Sequence, residues 1–318
     1  MRIAILDAPR RFTVQERPVP DIGPSQVLVR VAACGACTSE LHIWDGTTGT
    51  AGFPRSLGHE VSGVVERVGA EVTSRRPGDR VAVWSRNGYA DYVAVDAGWC
   101  FPTGDIPLDL ALGEPLACAV NAVELAEVRL GDDVVIVGAG FMGNLVQLLA
   151  ARRGPRQIIV ADTRPDALER AAALGATRTV DVTREQLGDV VSDITEGGAD
   201  VSFEVTGAQL VLLTLGEVTR MSGTVAIVGY HQGGSREIPL AQWNWMAYRI
   251  ANAHFRDEAV IRRGMERGMR LLTAGQLDLA GLVTHRFGLD EIGRAFEVAE
   301  EKPPGFCKAT VVVDEALV

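Results

Sequence analysis

Cys34-Gly35-Ala36-Cys37-Thr38-Ser39-Glu40-Leu41-His42, followed by Gly58-His59-Glu60, gathers thiols, imidazoles and carboxylates into one short stretch of the chain. A Cys-x-x-Cys pair alone is redox-active or half of a zinc ribbon. A ribbon needs a second such pair, and the chain has none. A redox pair opens a helix in a thioredoxin-like unit, and these surroundings do not supply one. One thiolate, one imidazole and carboxylates make a mixed donor set that suits zinc with one position left open for chemistry. Spacing alone leaves that reading level with plain structural cysteines.

A second group of residues suits a dinucleotide. Gly138-Ala139-Gly140-Phe141-Met142-Gly143 follows the apolar run Val134–Val137 and opens a helical pattern. The first glycine permits a tight turn, the second lets backbone approach a pyrophosphate, and the third lets helix pack on strand. Helix amides then hold the phosphates. Asp162 ends the next apolar run about 20 residues on, where a carboxylate accepts from both ribose hydroxyls. A 2′-phosphate would meet that carboxylate, so NAD is expected over NADP. Arg164 is the counterweight, because it would pair a phosphate if Asp162 turned away. Phe141 and Met142 within the loop, and Thr206, Val228 and Gly229 at later strand ends, are expected to line the cofactor.

The elements that must position these groups differ along the chain. Ile3–Leu6, Gln26–Ala32, Val61–Val68, Arg80–Val83 and Tyr92–Val95 read as short strands punctuated by Gly and Pro. After about Ala119 strands alternate with helices: Val134–Val137 with a helix from Gly143, Ile158–Asp162 with Asp166–Leu174, Val201–Val205 with Gln209–Met221, then Val225–Val228. Such alternation predicts a parallel sheet built from right-handed crossovers. A helix from Glu258 to Ala274 and a last strand at Thr310–Val313 close the chain.

The chain has 318 residues, which at about 150 per domain suggests two domains. Thirty-one Lys and Arg against 41 Asp and Glu leave a net charge of −10. An acidic chain repels phosphate backbones and anionic lipid, so neither nucleic acid nor a membrane surface is expected as a partner. The N-terminus carries Asp7 and lacks the apolar run of roughly 7–15 residues of a signal peptide. Val134–Ala151 holds Asn144, Gln147 and the motif glycines and reads as a buried strand and helix, not a membrane span. Five cysteines are too few for a disulfide scaffold, and the expected setting is the cytoplasm.

Cys37 with Ser39 and His42, then Gly58-His59-Glu60, then the glycine fingerprint, occur in an order that resembles the zinc-dependent branch of the medium-chain dehydrogenase/reductase superfamily. The resemblance spans essentially the whole chain. It implies an α/β fold in which a GroES-like, partly open β-barrel catalytic domain (residues 1–118, completed by 254–318) receives a Rossmann doubly wound parallel-sheet cofactor domain (119–253). It implies Cys37 and His59 as the first two zinc ligands. The third ligand varies in the family among Cys, Asp and Glu, and Glu114 and Cys118 compete for it here. Aligning Asn121–Ala126 with the helix that follows places Glu114 at the ligand position. Glu114-Pro115-Leu116 also resembles the sorbitol and threonine dehydrogenase pattern, which leaves Cys118 as a buried thiol.

Further roles follow from the same likeness. Glu60 resembles the acidic residue beside the zinc. Ser39 accepts the alcohol proton and His42 passes it to solvent through the ribose. Two departures stand out: Glu40 sits where the family usually has Asp, and no four-cysteine lobe separates Trp84 from Gly88. One catalytic zinc and no structural zinc are therefore expected, and Cys34, Cys100 and Cys307 read as structural. His285-Arg286-Phe287 resembles a polyol dehydrogenase string, which suggests Arg286 as a substrate-hydroxyl partner; Trp84 falls where the family lines its pocket. His231, after Gly229-Tyr230 where nicotinamide should lie, reads equally well as solvent-exposed.

The resulting expectation is a zinc-dependent oxidoreductase moving hydride between NAD and a secondary alcohol or ketone of polyol, sugar or cyclitol type, assembled as a homodimer or homotetramer. Two rivals are a zinc-free, NADPH-dependent quinone or enoyl reductase on the same fold, and a non-catalytic NAD- or zinc-binding protein. Cys37, His59 and Asp162 speak against the first, and the joint presence of Ser39 and His42 speaks against the second.

Overall fold

The computed structural model describes residues 1–318. Branched apolar residues recur through the first hundred positions, and they pack well on a pleated surface. They form β1 (Arg2–Ala8), β2 (Arg11–Glu16), β3 (Gln26–Gly35), β4 (Glu60–Val68), β5 (Arg80–Val83), β6 (Tyr92–Asp96) and β7 (Cys100–Pro102), with helix α1 (Thr38–Trp44) between β3 and β4. Helix α2 (Gly113–Ala126) opens the alternating region. There β8 (Asp133–Val137), α3 (Phe141–Ala151), β9 (Gln157–Asp162), α4 (Pro165–Ala173), β10 (Arg178–Asp181) and α5 (Leu187–Ile194) precede β11 (Ala199–Glu204), α6 (Gln209–Val218), β12 (Thr219–Ile227), α7 (Leu240–Trp245) and β13 (Arg249–Asn252). The chain ends in α8 (Glu258–Thr273), β14 (Val283–Gly288), α9 (Ile292–Glu301) and β15 (Lys308–Val312). Two compact units result, Met1–Ala117 with Arg262–Val318, and Cys118–Ile261.

In the first unit β3 is the organising strand. One edge pairs with β4 from Val27↔Val68 to Gly35↔Glu60. The other edge is shared, β6 taking Gln26–Arg30 and β15 taking Ala33–Gly35. The C-terminal strand is thus needed to complete the ladder beside the cysteine loop, which is how Lys308 reaches residues read hundreds of positions earlier. Phe296 of α9 anchors the core beneath, with the rings of Phe12, Trp44 and Tyr89 at 5.0, 5.8 and 5.9 Å. Such aromatic pairs add about 0.5–1.5 kcal/mol each to the area they bury.

The second unit is a parallel sheet in the order β10-β9-β8-β11-β12-β13. Every residue of β8 is buried, as expected of a strand covered on both faces. The strand order reverses between β8 and β11, and open sheets of this kind bind ligands outside the carboxyl ends of their strands at that reversal.

Two sequence readings change. The helix expected over Gln209–Met221 ends at Val218, because Thr219 joins the parallel ladder opposite Ala199 while its hydroxyl donates back to Leu215 O at 2.7 Å. The strands β2, β7, β10, β13 and β14 were not expected; most are short or carry charges that break the apolar pattern.

Candidate active site

In the first unit β3 ends at Gly35 and α1 begins at Thr38, so Cys37 sits at the helix entrance with extended backbone. Glu60 opens β4, directly after His59. These two chain reversals bring the Cys37, His59 and Glu60 donor atoms within 4.8 Å of one another. Glu114, in the first turn of α2, places Oε2 3.9 Å from His59 Nε2. Cys118 lies one turn further along α2, is half-buried, and is the first residue of the other unit.

Glu40 decides which way the His59 ring faces. It is buried on α1, and its Oε1 takes His59 Nδ1 at 2.8 Å and the amide of Gly58 at 2.8 Å. Tyr89 Oη donates to Oε2 at 2.9 Å. Burial alone would raise the Glu40 pKa, but His59, Gly58 and Tyr89 outweigh it and hold the carboxyl below its ordinary value. With Nδ1 engaged, Nε2 faces Glu114, the arrangement by which a carboxylate fixes a ligating histidine. The extra methylene of Glu40 relative to Asp therefore does not prevent the contact. Burial opposes charging of His59, yet Glu40 and Cys37 raise its pKa well above the ordinary value. A half-buried imidazole set between a carboxylate and a cysteine sulfur is a donor arrangement in which a divalent cation can take the place of a proton.

Glu60 is almost fully buried and is held by Lys308 Nζ at 2.6 and 2.8 Å from its two oxygens. Burial disfavours the charged Lys308, but Glu60, Cys37 and Glu114 raise its pKa above the ordinary value. Ser39 Oγ donates to Cys37 Sγ at 3.2 Å. His42 lies three residues on along α1, so the two share a helix face. Its Nδ1 is 3.5 Å from Thr47 Oγ1.

Two residues suggested as substrate contacts have other partners. Arg286 binds the buried Asp109 at 2.6 Å, tying β14 to the segment before α2. Trp84 packs on Trp99 at 5.0 Å with Arg86 over its face at 5.3 Å. Cys34, Cys100 and Cys307 are all buried, and none is in a disulfide.

In the second unit the glycine loop is as tight as the motif requires. A Cβ on Gly143 would lie 1.8 Å from Gly138 O, so nothing larger than glycine fits. Helix α3 starts at Phe141, which is buried, with Met142 half-buried behind it. Asp162 ends β9; its Oδ2 accepts from Ala139 N at 2.7 Å and its Oδ1 from Thr163 N and Arg164 N at 2.7 and 2.9 Å. Its carboxylate thus faces the glycine loop, not away from it, and the Arg164 guanidinium stands 3.7 Å from Asp166. Thr206 follows β11, and Val228 and Gly229 follow β12.

Sequence reasoning missed Glu204, Tyr89, Asp109 and Lys308. Lys308 alone left a trace, a single charge opening the apolar run Lys308–Val312.

Comparison with known proteins agrees with this fold. Residues 23–107 match the alcohol dehydrogenase GroES-like domain, and residues 142–264 match the zinc-binding dehydrogenase domain. An L-threonine 3-dehydrogenase of Ruegeria pomeroyi is 31% identical over 319 residues, spanning 88% of this chain and 91% of its own. The structure of alcohol dehydrogenase TADH from Thermus sp. ATN1 aligns with a TM-score of 0.87 at 26% identity, over 99% of this chain and 100% of its own. A zinc-binding dehydrogenase of Sinorhizobium meliloti, solved bound to NADP, gives 0.86 at 26% identity over 98% and 99%. The α/β architecture of GroES-like and Rossmann parts is shared with these proteins. This chain belongs to the zinc-dependent medium-chain dehydrogenase/reductase superfamily and is an oxidoreductase of the alcohol dehydrogenase type.

Proposed function

We propose that the protein is an NAD-dependent, zinc-containing dehydrogenase of a hydroxyl-rich secondary alcohol, working on a soluble small molecule. The observation that carries this reading is the orientation of His59, whose Nδ1 is bound by Glu40 while Nε2 faces Glu114 beside Cys37. Cys37, His59 and Glu114 would hold one zinc ion, with Glu60 kept next to them by Lys308. The threonine 3-dehydrogenase relatives support a secondary alcohol, since the threonine C3 carries one.

Zinc, when bound, supplies a Lewis acid that acidifies a hydroxyl by up to about 9 pKa units, on the order of 12 kcal/mol, and NAD supplies the hydride acceptor. The protein's own groups do the rest. Ser39, on α1 beside the Cys37 sulfur, takes the hydroxyl proton as it passes its own to His42 on the same helix face. His42 releases that proton to solvent. A relay of this kind contributes about 10²–10⁴-fold. His42→Ala is expected to lower kcat about a hundredfold at neutral pH, with the deficit shrinking as pH rises and hydroxide replaces the relay. A pH profile of both proteins checks this; a deficit constant across pH would argue against a proton-transfer role.

Preference for NAD rests on Asp162. Its carboxylate stands at the end of β9 against the glycine loop, where a 2′-phosphate would add like charge. Asp162→Ser is expected to raise kcat/KM for NADP by at least about tenfold relative to NAD, because the like charge that a 2′-phosphate would meet is removed. An unchanged ratio would mean that Asp162 does not select the cofactor.

No helix is long and apolar enough to cross a membrane. A cytoplasmic setting fits five cysteines, none of them in a disulfide. Self-association is expected through β13, which pairs only with β12 at the edge of its sheet and carries Ile250 at 46% exposure, with Trp245 at the end of the preceding α7 at 81%. An uncovered apolar edge strand is a template for a second copy. Sedimentation equilibrium should show a dimer or tetramer, and a monomer at micromolar concentration would exclude it. The enzymatic reading is tested by NADH absorbance across a panel of polyols, cyclitols and 3-hydroxy amino acids, with and without a zinc chelator. Chelator-sensitive reduction of NAD by one class is the expected result; no turnover with any alcohol would count against it.

A further inference from the structure

We infer that His231 is a positioning residue which, through Glu204, fixes the two loops that carry the nicotinamide end of the cofactor; this rests on the dinucleotide reading above. Glu204 ends β11 and is fully buried. Its Oε1 accepts from Thr206 N at 2.6 Å, Thr206 Oγ1 at 2.5 Å and Gly207 N at 2.8 Å, all in the loop after β11. Its main-chain carbonyl accepts from Val228 N at 2.8 Å and Gly229 N at 3.0 Å, in the loop after β12. One residue therefore binds both loops.

The two loops are in direct contact. A Cβ on Gly229 would come 2.3 Å from Gly207 N and 2.3 Å from Glu204 Oε2. His231 completes this arrangement, with Nε2 2.9 Å from Oε2 and a side chain only 12% exposed. A carboxylate offers acceptors alone, so Nε2 donates. Tyr230, the residue before it, stacks on His254 at 4.4 Å, which braces the loop on that side. The solvent-exposed reading of His231 is thereby replaced by a structural one.

These loops stand at the carboxyl ends of β11 and β12, in the half of the sheet opposite the glycine loop and Asp162. The strand order reverses between the halves, so the adenosine end and the nicotinamide end are served by different strands. The backbone of Glu204 lies opposite Val137 in the ladder with β8, but its side-chain bonds, His231 included, go only to the second set. Removing the His231 donor leaves a buried carboxylate oxygen without its partner and frees the loop after β12 to move. The consequence should fall on the nicotinamide end alone.

The test compares binding of NADH and of ADP-ribose, which lacks the nicotinamide, to purified wild type, His231→Ala and His231→Gln by calorimetry. His231→Ala should weaken NADH about tenfold and leave ADP-ribose within about twofold, and His231→Gln, which restores an N–H donor, should recover most of the loss. Equal weakening of both ligands, no weakening of either, or no difference between the Ala and Gln variants would overturn the inference. An Ala variant that no longer binds ADP-ribose would also overturn it, by showing a role in the whole fold. A wild-type protein that fails to bind ADP-ribose would sink the dinucleotide reading itself, a result distinct from a missing split.

Discussion

Cys37→Ala should abolish both turnover and stoichiometric zinc binding, while the cofactor unit still binds ADP-ribose. The sulfur sits where α1 begins, within 4.8 Å of the His59 and Glu60 donors and 3.2 Å from the Ser39 hydroxyl. Two donors of the set would remain in the variant, too few for the tetrahedral coordination zinc favours. The contribution at stake is on the order of 12 kcal/mol, against roughly 3–5 kcal/mol for the proton relay. Each 1.36 kcal/mol is about tenfold in rate, so loss of the metal should drive turnover to background, while loss of the relay leaves measurable activity. Steady-state kinetics with metal analysis on Cys37→Ala and His42→Ala would check the order. Equal losses would contradict it.

Lys308→Met is expected to lower stability by about 3–5 kcal/mol, a large share of the roughly 5–15 kcal/mol that folded proteins typically have. Glu60 is 1% exposed, and Lys308 holds both of its oxygens. Removing one partner of such a pair leaves the other charge buried and uncompensated. Burial works against the charged Lys308, but Glu60 first, then Cys37 and Glu114, raise its pKa in the fold. A raised pKa means that its stabilising contribution is complete at neutral pH and is lost only as pH climbs through the folded value. The wild-type advantage over the variant should therefore persist through neutral pH and shrink in strong alkali. Urea unfolding at several pH values measures this, and adding Glu60→Gln to Lys308→Met should restore much of the loss. A single variant as stable as wild type would show that the pair contributes nothing.

What the sequence made legible was local. The glycine fingerprint after an apolar strand, with Asp162 ending the next, needs only neighbours in the chain to be recognised, and the parallel order of β8, β9 and β11 follows from strand–helix alternation. Cys37 and His59 were legible through motif order. Glu40 stands out in the sequence as a departure, and in the structure it reaches His59 with Gly58 and Tyr89 as co-partners. The interactions that stayed hidden join residues far apart in sequence: Lys308 with Glu60, Arg286 with Asp109, His231 with Glu204. No spacing rule encodes such pairs, because they depend on the return of β14 and β15 to the first unit and on two strand ends meeting in the second. For Arg286, suggested for substrate, the structure adds a buried aspartate partner that the motif alone does not reveal. The helical pattern through Met221 gives way after Val218 for a related reason: the ladder with β11 outweighs it.

Zinc-edge X-ray absorption on active, purified protein tests the central claim most directly. One zinc per chain is expected, with a single sulfur scatterer at about 2.3 Å from Cys37 and the remaining scatterers nitrogen or oxygen at about 2.0–2.2 Å. Full activity in protein free of transition metal would contradict the account, and a second sulfur would move the third ligand from Glu114 to Cys118.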